Sequence, residues 1–216
     1  DVINVALDEL GEGATRDIGK LSSIYGDAER MGLGKAMLAV GAAINEVSQN
    51  STASASYLVD FENRMAGVGK QADMSIPKIM GYASVLDQNA QQVEMSATAL
   101  QGIIMKMYQD PGKLARIAGI DVKEFARLVR EDANEALLQL LDTLGKAGGM
   151  QALAPMFDEM KLDGSRAASV LSVLAGNIES VRREQKLAQE AFDEGTSTVS
   201  STAVFSSGFV TYFSTI

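Results

Sequence analysis

The chain of 216 residues contains no cysteine and no histidine. Without cysteine there is no disulfide framework and no thiol chemistry. Without either residue, a structural zinc site and a Ser-His-Asp or Cys-His nucleophile cannot be assembled. Tryptophan is also missing, aromatic residues make up only 6%, and proline occurs three times. No signal-peptide pattern is visible, and the longest apolar run, AMLAVGAAI from Ala36 to Ile44, falls well short of the ~20 residues that span a bilayer. That run reads as a helix buried in a core. Basic residues are in deficit, 19 Lys and Arg against 28 Asp and Glu, for a net charge of −9. Binding a phosphate backbone depends on Lys and Arg displacing counterions, so direct nucleic-acid binding is disfavoured and a solvated acidic surface is expected.

What remains is a composition suited to helix-on-helix packing. Hydrophobic residues reach 46%, with Ala, Met, Leu and Ser favoured over the β-branched and aromatic residues of a sheet sandwich. From Ser54 the apolar residues Tyr57, Leu58, Phe61, Met65 and Val68 keep the spacing of one helix face. After Asp73 the pattern restarts, with Ser75 placed to accept free amides of a new first turn and Pro77 where its missing N–H costs least. Ile76, Ile79, Met80, Ala83 and Leu86 then line a single face. A third helix runs from Val93 or Glu94 to about Tyr108, with Met95, Ala99, Leu100, Ile103, Ile104 and Met107 inward, and Asp110-Pro111-Gly112 turns the chain out of it.

The second half continues in the same manner. A short helix over Pro111 to Ile117 ends at Gly119, and Asp121-Val122-Lys123-Glu124 has the form of a capping box ahead of Phe125, Ala126, Leu128 and Val129. Leu137, Leu138, Leu140, Leu141 and Leu144 mark a strongly apolar helix, and Leu153, Met156, Phe157 and Met160 a short one, with methionine as an adaptable core filler. The glycines at 67, 69, 112, 119, 145, 148, 149 and 164 read as punctuation between helices. The longest pattern starts at Asp163-Gly164-Ser165-Arg166 and runs to about Glu194. Because VRREQKLAQEAFDEG is mainly charged, its end is expected to leave the globule as an exposed or self-associating helix. After Gly195 the composition turns to Ser, Thr and aromatics. Phe205, Phe209, Tyr212, Phe213 and Ile216 fit a helical stripe, and the same residue types fit strand pairing.

Several chemical motifs fail on inspection. Gly11-Glu12-Gly13 and Gly32-Leu33-Gly34-Lys35 lack a preceding strand, and a P-loop around Gly34-Lys35 needs Gly where Glu29 stands and Ser or Thr where Ala36 stands. Both read as helix breaks. Glu131-Asp132 and Asp158-Glu159 are neighbours in sequence, and adjacent residues on a helix point apart, so they read as solvated surface. Asn50-Ser51-Thr52 fits a glycosylation sequon and reads as a joint between helices. No catalytic, cofactor-binding or metal-binding residue is assigned.

The segment NEVSQNSTASASYLVDFENRMAGVGKQADMSIPKIMGYASVLD, followed by EMSATALQGIIMKM, resembles the core region of bacteriophage tail tape measure proteins. The features that carry the likeness are an Ala- and Ser-rich lead, the Gly-containing end of the helix at Met65 to Lys70, the restart at Ser75 to Ile79, the stretch from Leu86 to Leu100, and Ala118-Gly119-Ile120-Asp121. The similarity is spread over residues 24 to 197 and weakens beyond them. Members of that family are far longer and this chain opens at Asp1 without Met, so the resemblance implies a fragment of a larger protein.

The expected fold class is all-α, a compact multi-helix bundle of short helices with a longer C-terminal helix. It divides into an N-terminal helical segment (1–32), a helical core (33–194) and a Ser/Thr/aromatic tail (195–216) of open structure. The resemblance implies a structural protein, not an enzyme, in a tailed phage or prophage. Such a protein is made in the bacterial cytoplasm, sits in the lumen of the virion tail, sets tail length and scaffolds tube assembly. Its implied partners are the tail tube protein, tail assembly chaperones and tail-tip or baseplate proteins. No cofactor is implied. A continuous helix of this chain would extend at most ~320 Å at ~1.5 Å per residue, but its many cap signals break it into short pieces. Two alternatives of other classes stand beside this reading: a bacterial helical protein-interaction module without a phage role, and a cell-wall-penetrating enzyme domain.

Overall fold

A computed structural model describes residues 13–148, 155–159 and 165–197. The described residues form helices and no strand: α1 (Ala14–Ile24), α2 (Asp27–Met31), α3 (Leu33–Asn50), α4 (Ala55–Gln71), α5 (Ile76–Gln88), α6 (Val93–Gln109), α7 (Pro111–Ala118), α8 (Val122–Glu131), α9 (Ala133–Lys146), α10 (Ser165–Ala175) and α11 (Ile178–Ser197). Residues 155–159 add one further helical stretch, which carries the buried Phe157. The all-α class therefore holds. Leu153 and Met160, and the tail from residue 198, lie outside the described residues.

The joints are built from local chemistry. Ser51 closes α3, its hydroxyl donating to the carbonyl of Val47 at 2.8 Å and accepting from the Ala53 N–H at 3.1 Å. Ser54 then caps α4 by accepting from the N–H of Tyr57 at 3.3 Å. Asp110, Asp121 and Asp132 do the same for α7, α8 and α9, accepting from the amides of Lys113, Glu124 and Glu135 at 2.8, 2.8 and 3.1 Å. Ser75 does not: its side chain makes no cap bond. The second residue of α5 is Pro77, which has no amide, so of the two amides a cap oxygen can serve only that of Lys78 is present, and Ser75 does not bond it.

Three helices end in left-handed turns of the Schellman type. The N–H of Met74 reaches the carbonyl of Gly69, that of Gln91 reaches Leu86 and that of Ile120 reaches Ala115, at 2.9, 3.0 and 2.8 Å. The residues that take positive φ are Asp73 (53°), Ala90 (54°) and Gly119 (71°). Only the last is a glycine. Ala90 has no side-chain hydrogen bond to offset the steric cost of that conformation.

Several glycines that read as punctuation lie inside helices instead. Gly67 and Gly69 belong to α4, Gly112 to α7 and Gly145 to α9. A β-carbon on Gly69 would lie 2.3 Å from Ile79 Cδ1, and one on Gly145 would lie 2.3 Å from the carbonyl oxygen of Ala175. These positions are small because a neighbouring helix occupies the space. The long C-terminal pattern is correspondingly two helices. The break falls at Gly176-Asn177, where the Asn177 side-chain amide turns back to the carbonyl of Val173 at 2.8 Å.

One helix sits at the centre. The sequence periodicity assigns α5 a single apolar face, but Ile76, Pro77, Ile79, Met80, Gly81, Tyr82, Ala83, Ser84, Val85 and Leu86 are all buried. A helix apolar all round is an enclosed one. Helices α3, α4, α6, α10 and α11 surround it. Around this hub a single apolar core runs from Ile18 and Leu21 of α1 through the leucines of α9 to Phe192 of α11.

The charged end of α11 does not leave the globule. It packs most extensively on α3 and α5, burying Val181, Glu184, Ala188, Ala191 and Phe192 while Arg182, Arg183, Lys186, Glu190, Asp193 and Glu194 face outward. From Val181 to Ala191 the buried positions recur every three or four residues, with Phe192 beside the last, so one narrow stripe suffices even in a polar helix. The stripe lies close: a β-carbon on Gly195 would meet Ala39 Cα at 2.8 Å, and one on Gly81 would meet the backbone nitrogen of Gln185 at 2.8 Å and the carbonyl oxygen of Val181 at 3.0 Å.

Two contrasts test this packing by urea denaturation. Gly81→Ala is expected to destabilise by about 1–3 kcal/mol, since α11 must shift, whereas Gly102→Ala in α6, with open space around it, gains up to about 1 kcal/mol of helix propensity. At the left-handed turn, Ala90→Gly is expected to stabilise by about 1 kcal/mol, and a loss of stability there would contradict strain at that residue.

Candidate functional site

The close approach at Gly81 brings side-chain chemistry from three helices together. Gln185 of α11 lies over α5, and its amide nitrogen donates to the carbonyl of Lys78 at 2.8 Å and to Asn134 Oδ1 of α9 at 2.9 Å. Asn134 Nδ2 answers by donating to Gln185 Oε1 at 3.2 Å. The Tyr82 hydroxyl donates to the same Asn134 Oδ1 at 2.9 Å. Burial pushes that hydroxyl well above the ordinary phenol range, so it remains a donor. At the rim, Arg182 grips Glu135 with two bonds of 2.9 and 2.8 Å, which raises the guanidinium pKa further, and Lys78 pairs with Asp132 at 3.3 Å.

On the other side of the crossing stands Glu184, only 3% exposed. Ser84 Oγ donates to its Oε2 at 3.3 Å, and Arg183 approaches its Oε1 at 3.2 Å. Gln88 donates to Ser84 Oγ at 2.9 Å. Apart from Arg183, which pairs with its neighbour Glu184, every polar group named here has a partner on another helix or on the next turn. What the arrangement does chemically is hold three helices in one register.

A second enclosed polar site is built in the opposite way. Glu62 of α4 is fully buried, and neither of its carboxylate oxygens has a hydrogen-bond partner among the described residues. The hydroxyl of Tyr25, between α1 and α2, is likewise buried without a partner. Burial pushes the Glu62 carboxyl well above the usual carboxylate range and the Tyr25 hydroxyl well above the phenol range, the latter helped by the nearby charge of Glu62. Tyr57, by contrast, stacks on Phe61 with centroids 6.1 Å apart and donates to Ser96 Oγ at 3.0 Å, tying α4 to α6. Burial pushes its hydroxyl up to about 12.

The carboxylate neighbours singled out in the sequence have other employment. Glu131 pairs with Arg127, Asp132 caps α9 and pairs with Lys78, and Asp158 and Glu159 are exposed. Ser51 of the sequon is the joint between α3 and α4. Among the described residues no group of three or more metal-ligating side chains converges, and no helix is long and apolar enough to cross a membrane. The residues that do gather, Tyr82, Asn134, Glu184, Gln185, Glu62 and Tyr25, carry no motif. The glutamates did leave a trace: Glu62 lies four residues after Leu58 and three before Met65, and Glu184 three after Val181 and four before Ala188, so each interrupts an apolar stripe.

Burial decides which of these contacts matters most for stability. Asn134→Ala strands the Tyr82 hydroxyl in the core and leaves Gln185 only its bond to the Lys78 carbonyl, and is expected to cost about 2–4 kcal/mol. The Arg182–Glu135 pair is 41% and 42% exposed, so Arg182→Ala is expected to cost no more than about 1 kcal/mol. Chemical denaturation of the two variants measures both, and equal losses would show that the amide network does not lock the crossing.

Compared with protein-family models, with curated proteins and with solved structures, the chain matches none.

Proposed function

We propose that this chain is the folded core region of a tape measure protein from a tailed phage or prophage. In that reading it is a structural element made in the bacterial cytoplasm and carried in the lumen of the virion tail. The observation that supports the reading most is the position of the segment bearing the family likeness. Residues 46–107 supply α4, the enclosed α5 and α6, which form the hub of the fold. The likeness therefore lies in residues that pack and cap, as expected of a scaffold.

The same geometry suggests a division of labour within such a protein. A helix converts residue count into distance at ~1.5 Å per residue, but only while it stays extended. Here the chain repeatedly folds back on itself, so this region serves as a compact node on the tape and length is set by rod-like sequence elsewhere. Its expected partners are the tail tube protein, the tail assembly chaperones and the tail-tip or baseplate proteins. The net charge of −9 suits a chain that shares a tube with DNA without adhering to it.

Electron microscopy of virions from engineered parent genes tests both statements. Deleting or duplicating rod-like sequence should change tail length by ~1.5 Å per residue. Cutting into the region of α3 to α11 should reduce the yield of tails without shortening those that form. Tails that shorten in proportion to deletions within the node, or that keep their length when the rod is altered, would refute the proposal. Tail tube, tail chaperone and baseplate genes are expected to flank the locus.

A further inference from the structure

Charge is unevenly distributed along this acidic chain. The segment 106–131, from the last turn of α6 to the end of α8, holds six Lys and Arg against four Asp and Glu. That leaves 13 of the 19 basic residues against 24 of the 28 acidic ones elsewhere, a net −11. The pairing differs as well. Outside the segment each described Lys and Arg has a carboxylate, a carbonyl or another polar interaction. Inside it Arg127 pairs with Glu131, while the side chains of Lys106, Lys113, Arg116, Lys123 and Arg130 have no hydrogen bond or ion pair among the described residues. Three of the segment's four carboxylates are occupied, Asp110 and Asp121 as caps of α7 and α8 and Glu131 by Arg127, and Glu124 is exposed.

The fold gathers these cations on one surface. Helices α7 and α8 pack on each other and on α9, burying Leu114 and Ala115 of the first and Phe125 and Val129 of the second. On α8, Lys123, Arg127 and Arg130 follow at i, i+4 and i+7, and on α7, Lys113 and Arg116 stand at i and i+3. At helical spacing each set forms one stripe opposite the buried residues. Arg116, Lys123, Arg127 and Arg130 are exposed, and Lys113 is partly so.

Screening decides which kind of anion fits. At ~0.15 M salt charges further apart than ~8 Å hardly interact, so a ligand that stays on α7 and α8 meets a positive surface, and one that overhangs them meets the acidic remainder. A nucleic-acid duplex or an anionic bilayer overhangs. Glu124 and Glu131 also stand among the cations, where a row of phosphates meets repulsion but a protein segment can place a neutral or basic residue. Met105 and Tyr108, 47% and 46% exposed on the last two turns of α6, border the segment with residue types that protein interfaces favour.

We propose that the outward faces of α7 and α8 bind a short acidic segment of a partner protein, its carboxylates pairing with Lys113, Arg116, Lys123 and Arg130. Such docking is independent of whether the chain belongs to a tape measure protein.

Nuclear magnetic resonance titration of the isotope-labelled full chain with a peptide of about six glutamates, ~20 Å when extended against ~15 Å for α8, tests this. The backbone amides that shift should be those of residues 106–131, and the shifts should weaken as salt rises from about 0.05 to about 0.5 M. Combining Arg116→Gln, Lys123→Gln and Arg130→Gln should raise the dissociation constant about tenfold, a factor of about two for each exposed pair lost. Combining Lys20→Gln, Lys146→Gln and Lys186→Gln removes the same charge from paired sites elsewhere and should leave binding within about twofold of the wild type. Absence of shifts, shifts spread over other helices, equal weakening by the two triple variants, or tighter binding of a short DNA duplex or of phosphatidylglycerol vesicles than of the peptide would overturn the assignment. The location of the shifts is read in the wild-type protein, so it decides the matter even if a variant folds poorly.

Discussion

The backbone of α11 lies against α5 at Gly81 with no room for a β-carbon, and the arrangement of the other helices depends on that approach. Only at this distance does the Gln185 amide reach the carbonyl of Lys78, and only then can Asn134 of α9 bond to the side chains of both Tyr82 and Gln185. Small residues continue the seat along α3, where Gly195 faces Ala39 and Ala42. In α11 a single buried stripe, Val181, Ala188, Ala191 and Phe192 among it, is seated by close backbone contact and a satisfied amide network.

Two buried glutamates show how differently one core handles charge. Glu184 sits at the crossing with Ser84 and Arg183 on its oxygens, so its burial is compensated locally. Among the described residues Glu62 has no such partner, and the Tyr25 hydroxyl is buried in the same condition. The first site fixes the register of helices. The second carries the desolvation cost of a carboxyl enclosed without a bond to any described residue.

The proposed role is compatible with this construction. A tape that measures distance must stay extended, whereas a node must resist extension. Here α5, in the middle of the segment that bears the resemblance, is the helix most completely wrapped by others. Family resemblance carried by packing residues is informative about architecture, because enclosed positions tolerate few shapes, and for the same reason it names no contact surface.

The helices themselves were legible from residue order. The stripes of Tyr57 to Val68 and of Met95 to Met107, the Leu-rich run of α9, and the Asp110 and Asp121 caps all rest on interactions within a few residues of one another. The failures share the opposite property. Gly69 and Gly145 looked like helix ends because a glycine's local meaning is flexibility, whereas their real cause is a side chain or carbonyl on another helix. The end of α11 looked exposed because its charge is local, while its seat on α3 and α5 is not. Ala90 takes a left-handed turn that no neighbouring residue announces. The glutamate sites were half visible, as interruptions of a stripe. Sequence order alone settled the all-α class and most helix boundaries, since helical hydrogen bonds and caps close within four residues. Which polar groups meet, which glycines are filled by a neighbour and which carboxyl is left without a partner were decided only when distant helices packed, because those contacts join residues far apart in the chain, Lys78 and Gln185 being 107 positions apart.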